Sequence, residues 1–251
     1  MGFMMKETKN KRAGFLDEVR GFAILCMVVY HGAFALVEFY GVNVPFFFEN
    51  WFYPIWAVFA GSFIFISGIV CRYSRNNIKR GAQCFFLGMG VTFVTAIFAP
   101  SVAILFGILH FLGVCMMLYG LGESVWGKVK PPVAIAICVF LFAITYCVRD
   151  GILGFPGLLL GLPQRLYDVG LLFPLGFAGR GFASGDYFPL MPWGFLFFAG
   201  SYVGVYVKDG RCPKFFYTTR VPFLALAGRH TIWIYLLHQP IIMGVLMLIY
   251  C

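Results

Sequence analysis

Residues 16–37 read LDEVRGFAILCMVVYHGAFALV, an apolar run with Arg20 at its entrance and His31 near its middle. Eleven residues of α-helix advance about 16.5 Å and turn through roughly 1100°, which brings Arg20 and His31 to within about 20° of one another on the same helix face. A histidine at mid-membrane depth with a guanidinium three turns below it is costly to bury. Ionisable residues inside a membrane segment are functional candidates for that reason.

That this helix crosses a bilayer follows from the composition around it. Hydrophobic residues make up 61% of the 251, and charged residues only 12%, against about 25% in soluble domains. The mean hydropathy is +0.87. A span needs about 20 apolar residues, and the uncharged runs predict spans at 16–38, 51–71, 81–99, 102–121, 131–148, 188–207 and 229–250. The long run 81–122 divides at Ala99-Pro100-Ser101, where proline breaks the helix. The expected fold is an all-α, polytopic transmembrane bundle of about seven spans, forming a single integral-membrane domain over 1–251 with a cytoplasmic tail at 1–14. Residues 149–187 are apolar but interrupted by Gly, Pro, Arg165 and Asp168. They are expected to form a partly inserted outer lid, with a pair of short helices as the alternative.

The net charge of +9 does not indicate a nucleic-acid partner, because the basic residues follow topology. With the N-terminus inside, the inner segments hold Lys6, Lys9, Lys11, Arg12, Arg72, Arg75, Lys79, Arg80, Lys128, Lys130, Lys208, Arg211, Lys214 and Arg220, 14 of the 19, and the outer segments hold only Arg149, Arg165 and Arg180. This excess places the N-terminus in the cytoplasm and the C-terminus outside. The eight cysteines show no CxxC pair and no regular spacing, so neither a disulfide framework nor a metal site is expected. The first apolar run is too long for a cleavable signal peptide and is expected to remain as the first helix.

Five segments in order, LDEVRGFAILCMVVYH (16–31), FIFISGIVCRYSRNNIKRG (63–81), FGILHFLGV (106–114), GDYFPLMPWGFLFFAG (185–200) and GRHTIWIYLLHQPII (228–242), resemble the catalytic domain of the heparan-alpha-glucosaminide N-acetyltransferase family in its short bacterial forms. The Arg-x10-His pair and Ser67-Gly68 also resemble the wider transmembrane acyltransferase superfamily, which includes O-acetyltransferases of O-antigen and peptidoglycan. The resemblance implies a multi-pass acyltransferase of a bacterial plasma membrane. It would use acetyl-coenzyme A or another acyl-coenzyme A as co-substrate, with no metal, and act on a glycan or glycolipid acceptor. It assigns catalysis to His31 and the donor side to Arg20. Residues 32–52 contain no histidine, so the histidine role falls to His31, as in the O-acetyltransferase branch, and heparan sulfate is not implied as substrate.

Each candidate has a structural alternative. His31 is either a base near neutral pH or an acetyl-carrying nucleophile, or else a neutral imidazole bonded between helices. Arg20 either binds phosphate through its guanidinium fork or pairs with Asp17 at the interface. Arg72 and Arg75, with Lys79 and Arg80, either complete a coenzyme A phosphate site or serve topology alone. Ser67, His110 and His238 either line the site, where they would steady an oxyanion, or fix helix register. Asp186 either orients His31 or contacts the acceptor, or caps the sixth span. Trp51 and Trp193 are candidates for the outer aromatic belt. Two other function classes remain open at this point: a proton-coupled transporter using His31, His110 and His238, and a non-catalytic membrane partner.

Overall fold

A computed structural model of the protein describes residues 13–45, 49 and 51–250. Most of the expected cytoplasmic tail, including Lys6, Lys9, Lys11 and Arg12, lies outside them, as does Cys251. The helices are α1 (Gly14–Tyr40), α2 (Phe52–Cys71), α3 (Asn77–Phe98), α4 (Ile108–Leu121), α5 (Glu123–Trp126), α6 (Pro131–Thr145), α7 (Arg165–Asp168), α8 (Leu190–Lys208), α9 (Pro222–Arg229) and α10 (Thr231–Tyr250). One antiparallel hairpin, β1 (Ile152–Phe155) with β2 (Leu158–Gly161), is the only sheet among the described residues. The protein is thus an all-α, multi-pass membrane protein. Among the described residues, six helical segments are long and apolar enough to span: Gly14–Tyr40, Pro54–Cys71, Asn77–Phe98, Pro131–Asp150, Leu190–Lys208 and Thr231–Tyr250.

The chain forms two compact units, one of residues 1–63 and 206–251, the other of residues 64–205. In the first, α1 and α10 run parallel. Arg20 meets Thr231, His31 meets His238, and Tyr40 meets Tyr250 with ring centroids 4.8 Å apart, so both helices ascend together. The start of α1 and the end of α10 therefore lie at opposite ends of this unit. Helix α9 packs backbone to backbone against α1. A Cβ on Gly21 would collide with the Leu224 carbonyl oxygen, and one on Gly228 with the Asp17 carbonyl oxygen. Such close approach is what small residues permit in membrane bundles.

The second unit follows the same packing rule. Gly68 on α2 and Gly200 on α8 face the opposing backbone at Phe197 and Phe65, and Phe111, Cys115, Phe197 and Ser201 are fully buried nearby. Helices α3 and α4 form an antiparallel pair in which Gly81 and Gly113 sit against each other's carbonyls.

The expected fourth span, 102–121, is shorter than the sequence suggests. The long run does break at Ala99, and Pro100–Val102 makes one 3-10 turn, but α4 begins only at Ile108. Its 14 residues give about 21 Å, short of a hydrocarbon core of about 30 Å. The backbone at 103–107 is extended instead and is covered by residues 184–188. Gly185 N–H donates to Ala103 O, Leu105 N–H to Ser184 Oγ, and Phe188 N–H to Phe106 O. Irregular backbone at membrane depth is tolerated where protein satisfies it in this way.

Residues 149–187 contain the hairpin, the single turn α7 and a 3-10 helix at Gly170–Leu175. The segment is tied down by two phenols. Tyr167 donates to Val148 O, and Tyr187 donates to Phe173 O at 2.6 Å. Burial pushes the Tyr187 phenol up to about 12, with Arg149 opposing. Its hydroxyl accordingly stays protonated and keeps donating throughout the neutral range.

Candidate functional site

The stretch DEVR (17–20) of α1 organises one end of the first unit. Asp17, 8% exposed, pairs with Arg229 at 3.5 Å. Arg229 is in the last turn of α9, where a cation also meets the negative end of the helix dipole. Glu18, 6% exposed, accepts from the backbone N–H groups of Arg220 and Val221, the latter at 2.8 Å, and so caps the start of the same helix. Arg20 and Gly21 follow on α1, with Gly21 against the α9 backbone at Leu224 and Gly228. An Arg20 Nη donates to Thr231 Oγ1 at 2.9 Å, and the guanidinium lies over the Phe63 ring at 5.7 Å. Both carboxylates thereby clasp α9, and Arg20 reaches the first residue of α10.

Three turns along α1, His31 is half-buried, and its ring lies 5.1 Å from that of His238, tilted by 49°. Tyr30 stands edge-on to His31 and also faces Trp56. His238, 9% exposed, places Nδ1 2.6 Å from the carbonyl oxygen of Tyr235. A carbonyl can only accept, so this Nδ1 carries the hydrogen and the lone pair of neutral His238 is on Nε2. Pro240, inside α10, withdraws the N–H that the Leu236 carbonyl would otherwise take, which loosens the helix ladder beside His238. The geometry thus sets two imidazoles side by side where α1 and α10 meet, on the helix face that also carries Arg20.

The remaining candidates belong to the second unit. Arg72 donates from Nε to the Ser201 carbonyl at 2.9 Å and lies over the rings of Tyr119 and Tyr202, at 5.2 and 5.6 Å. These contacts link the end of α2 to α4 and α8. Arg75 is exposed. Ser67 is half-buried on α2, and Gly68 beside it is required by the close crossing with α8. His110, 2% exposed, is flanked by Phe85 and Phe106, with Nε2 3.4 Å from Thr92 Oγ1. Gly88 leaves room for its ring, since a Cβ there would stand 2.9 Å from His110 Nδ1. The ring is thus enclosed between α3 and α4. Asp186, 9% exposed, accepts at 2.9 Å from the backbone N–H of Ile108. The carboxylate thereby caps the first turn of α4. Trp193 is buried between Phe142 and Phe188, and so does not stand in an aromatic belt. Trp51 is 54% exposed. Among the described residues, no group of three His, Cys, Asp or Glu is placed to hold a metal ion.

Residues 12–240 match the family model described as "Heparan-alpha-glucosaminide N-acetyltransferase, catalytic". The chain belongs to this family. No curated protein and no solved structure matches it. The matched region contains Arg20, Thr231, His31 and His238. A multi-pass membrane protein of this family is a membrane acetyltransferase. Thr231, Glu18 and Arg229 had not been singled out from the sequence. Nothing local signals the role of Glu18, because its partners lie 202 and 203 residues away.

Proposed function

We propose that the protein moves an acetyl or short acyl group from cytosolic acyl-coenzyme A to a hydroxyl or amine of an extracytoplasmic, sugar-containing acceptor. The observation that carries this reading is the pairing of His31 with His238 on the helix face that bears Arg20. In the reaction, His31 takes the proton from the acceptor O–H or N–H as the acceptor atom attacks the thioester carbonyl carbon. The C–S bond breaks, coenzyme A leaves as thiolate, and His31 returns the proton to its sulfur. The adjacent His238, held by Tyr235 O, keeps the neighbouring ring in a fixed orientation. The donor's phosphates are bound at the start of α1 by Arg20, with the Arg229 guanidinium one residue before the α9–α10 junction as a second cation. The pantetheine arm extends along α1 over the about 16.5 Å that separate Arg20 from His31.

The donor assignment has a direct test. Arg20→Lys keeps the charge and loses the fork, so it should weaken acetyl-coenzyme A binding about tenfold, and Arg20→Ala more, with thermal stability little changed. Calorimetry on purified protein measures this. Normal binding by both variants would remove the donor from this end of α1.

Directional transfer also needs the start of α1 in the cytoplasm and the end of α10 outside, as the basic residues argue. The parallel course of α1 and α10 supports opposite sides for the two ends. A reporter enzyme active only outside the membrane should work when fused after α10 and fail when fused before α1. The reverse result would place the donor end on the wrong side for cytosolic acyl-coenzyme A.

A further inference from the structure

Between Asp150 and Arg165 the chain reads GILGFPGLLLGLPQ, without a charge. The hairpin turns at Pro156-Gly157, where Gly157 takes φ +100°, a conformation open to glycine. Leu158, Leu159 and Leu160 are each exposed by nearly 60%, and Phe155 by 45%. Successive residues of a strand point to opposite faces, so neither face of β2 is covered by the protein. In water, a bare apolar hairpin with open edges is a template for aggregation.

The hairpin is continuous with a surface already turned to lipid. Strand β1 packs on α6, whose outward side carries Val133, Ile137, Val139 and Phe140, each at least half exposed. Charge returns only at its base. There Arg149 lies over the Tyr187 ring at 5.3 Å, and Leu162 N–H closes onto Gly151 O. Depth is limited by the backbone. A two-stranded ribbon leaves the outer N–H and C=O groups of both strands unpaired, and these are expensive in hydrocarbon.

We infer that the hairpin Ile152–Gly161 is seated in the headgroup layer of the bilayer at the end of α6, with its leucines and Phe155 reaching the upper acyl chains. Lipid is therefore its partner. The hairpin anchors residues 149–187 to the membrane surface, and this holds whether or not the acyl-transfer reading is correct.

Tryptophan at Leu159 reports on depth. Leu159→Trp and the milder Phe155→Trp, reconstituted in phosphatidylcholine vesicles brominated at the 6,7 or the 11,12 acyl positions, are compared with wild type to isolate the added emission. That emission should fall at least twofold with the 6,7 lipid and less with the 11,12 lipid, while aqueous iodide has little effect. Gln164→Trp, exposed at the hairpin's base, should respond to iodide instead. Quenching of both hairpin tryptophans by iodide and not by bromine would overturn the inference by placing the hairpin in water. Protection from both quenchers would overturn it in favour of a second copy of the chain.

Discussion

His31→Asn leaves acetyl-coenzyme A binding intact and lowers acyl transfer at least about 100-fold, the low end of what general-base catalysis supplies. The asparagine keeps a polar side chain beside His238 but cannot take up a proton. His31→Ala gives the same loss by a different route, since it removes the base without adding a polar group to the bundle. Both variants should insert and run as folded species, because His31 is half-buried and its ring contacts among the described residues are with Tyr30 and His238. The measurement follows radiolabel from acetyl-coenzyme A into the envelope glycan fraction of membranes containing each variant. Full activity in His31→Asn would transfer the chemistry to another residue. His238→Asn separates the two imidazoles further: loss of kcat with an unchanged KM for the donor is expected if it orients His31, whereas a base would show the same loss as His31→Asn.

The sequence revealed those features whose cause is local. Six long apolar helices are read from uninterrupted runs, and the shared face of Arg20 and His31 follows from helix periodicity, with Thr231 and His238 of α10 now found along it. What escaped is what depends on partners far along the chain. In the sequence Asp17 reads only as a partner for Arg20; that it and Glu18 hold the two ends of α9, a helix of eight residues, depends on residues 202 or more positions away. The late start of α4 was equally hidden. The apolar composition of residues 102–107 suits a helix, and the extended alternative is stabilised by bonds with residues 184–188, by the Asp186 carboxylate 78 positions away, and by Thr92 and Thr95 of α3 on the Ile104 backbone. Arg72 illustrates the same limit from the other side. A basic cluster at a membrane boundary looks like a phosphate site, whereas the Ser201 carbonyl and two tyrosine rings already engage this guanidinium.

Gly228→Val should prevent the first unit from closing and leave little folded protein. The reason is geometric: a Cβ at Gly228 would overlap the carbonyl oxygen of Asp17 and stand only 2.7 Å from its carbonyl carbon and 3.1 Å from its Cα. These are backbone atoms in the first turn of α1, so no side-chain rotation relieves the collision. Separating α1 from α9 enough to admit a valine would pull Asp17 from Arg229, draw Glu18 away from the N–H groups of Arg220 and Val221, and shift Thr231 away from Arg20. Overpacking by itself costs about 1–3 kcal/mol, and a buried carboxylate left without its donors adds about 1–3 kcal/mol more. Together these approach the whole stability of a typical domain, about 5–15 kcal/mol. Gly244→Ala on α10 is the control, because a Cβ there meets nothing within 4 Å, and it should express and melt as wild type. Size-exclusion profiles and thermal melting of detergent-solubilised protein compare the three. A Gly228→Val protein that runs and melts like wild type would mean that α1 and α9 do not approach as closely as Gly21 and Gly228 allow, and the placement of Arg20 against Thr231 would lose its support.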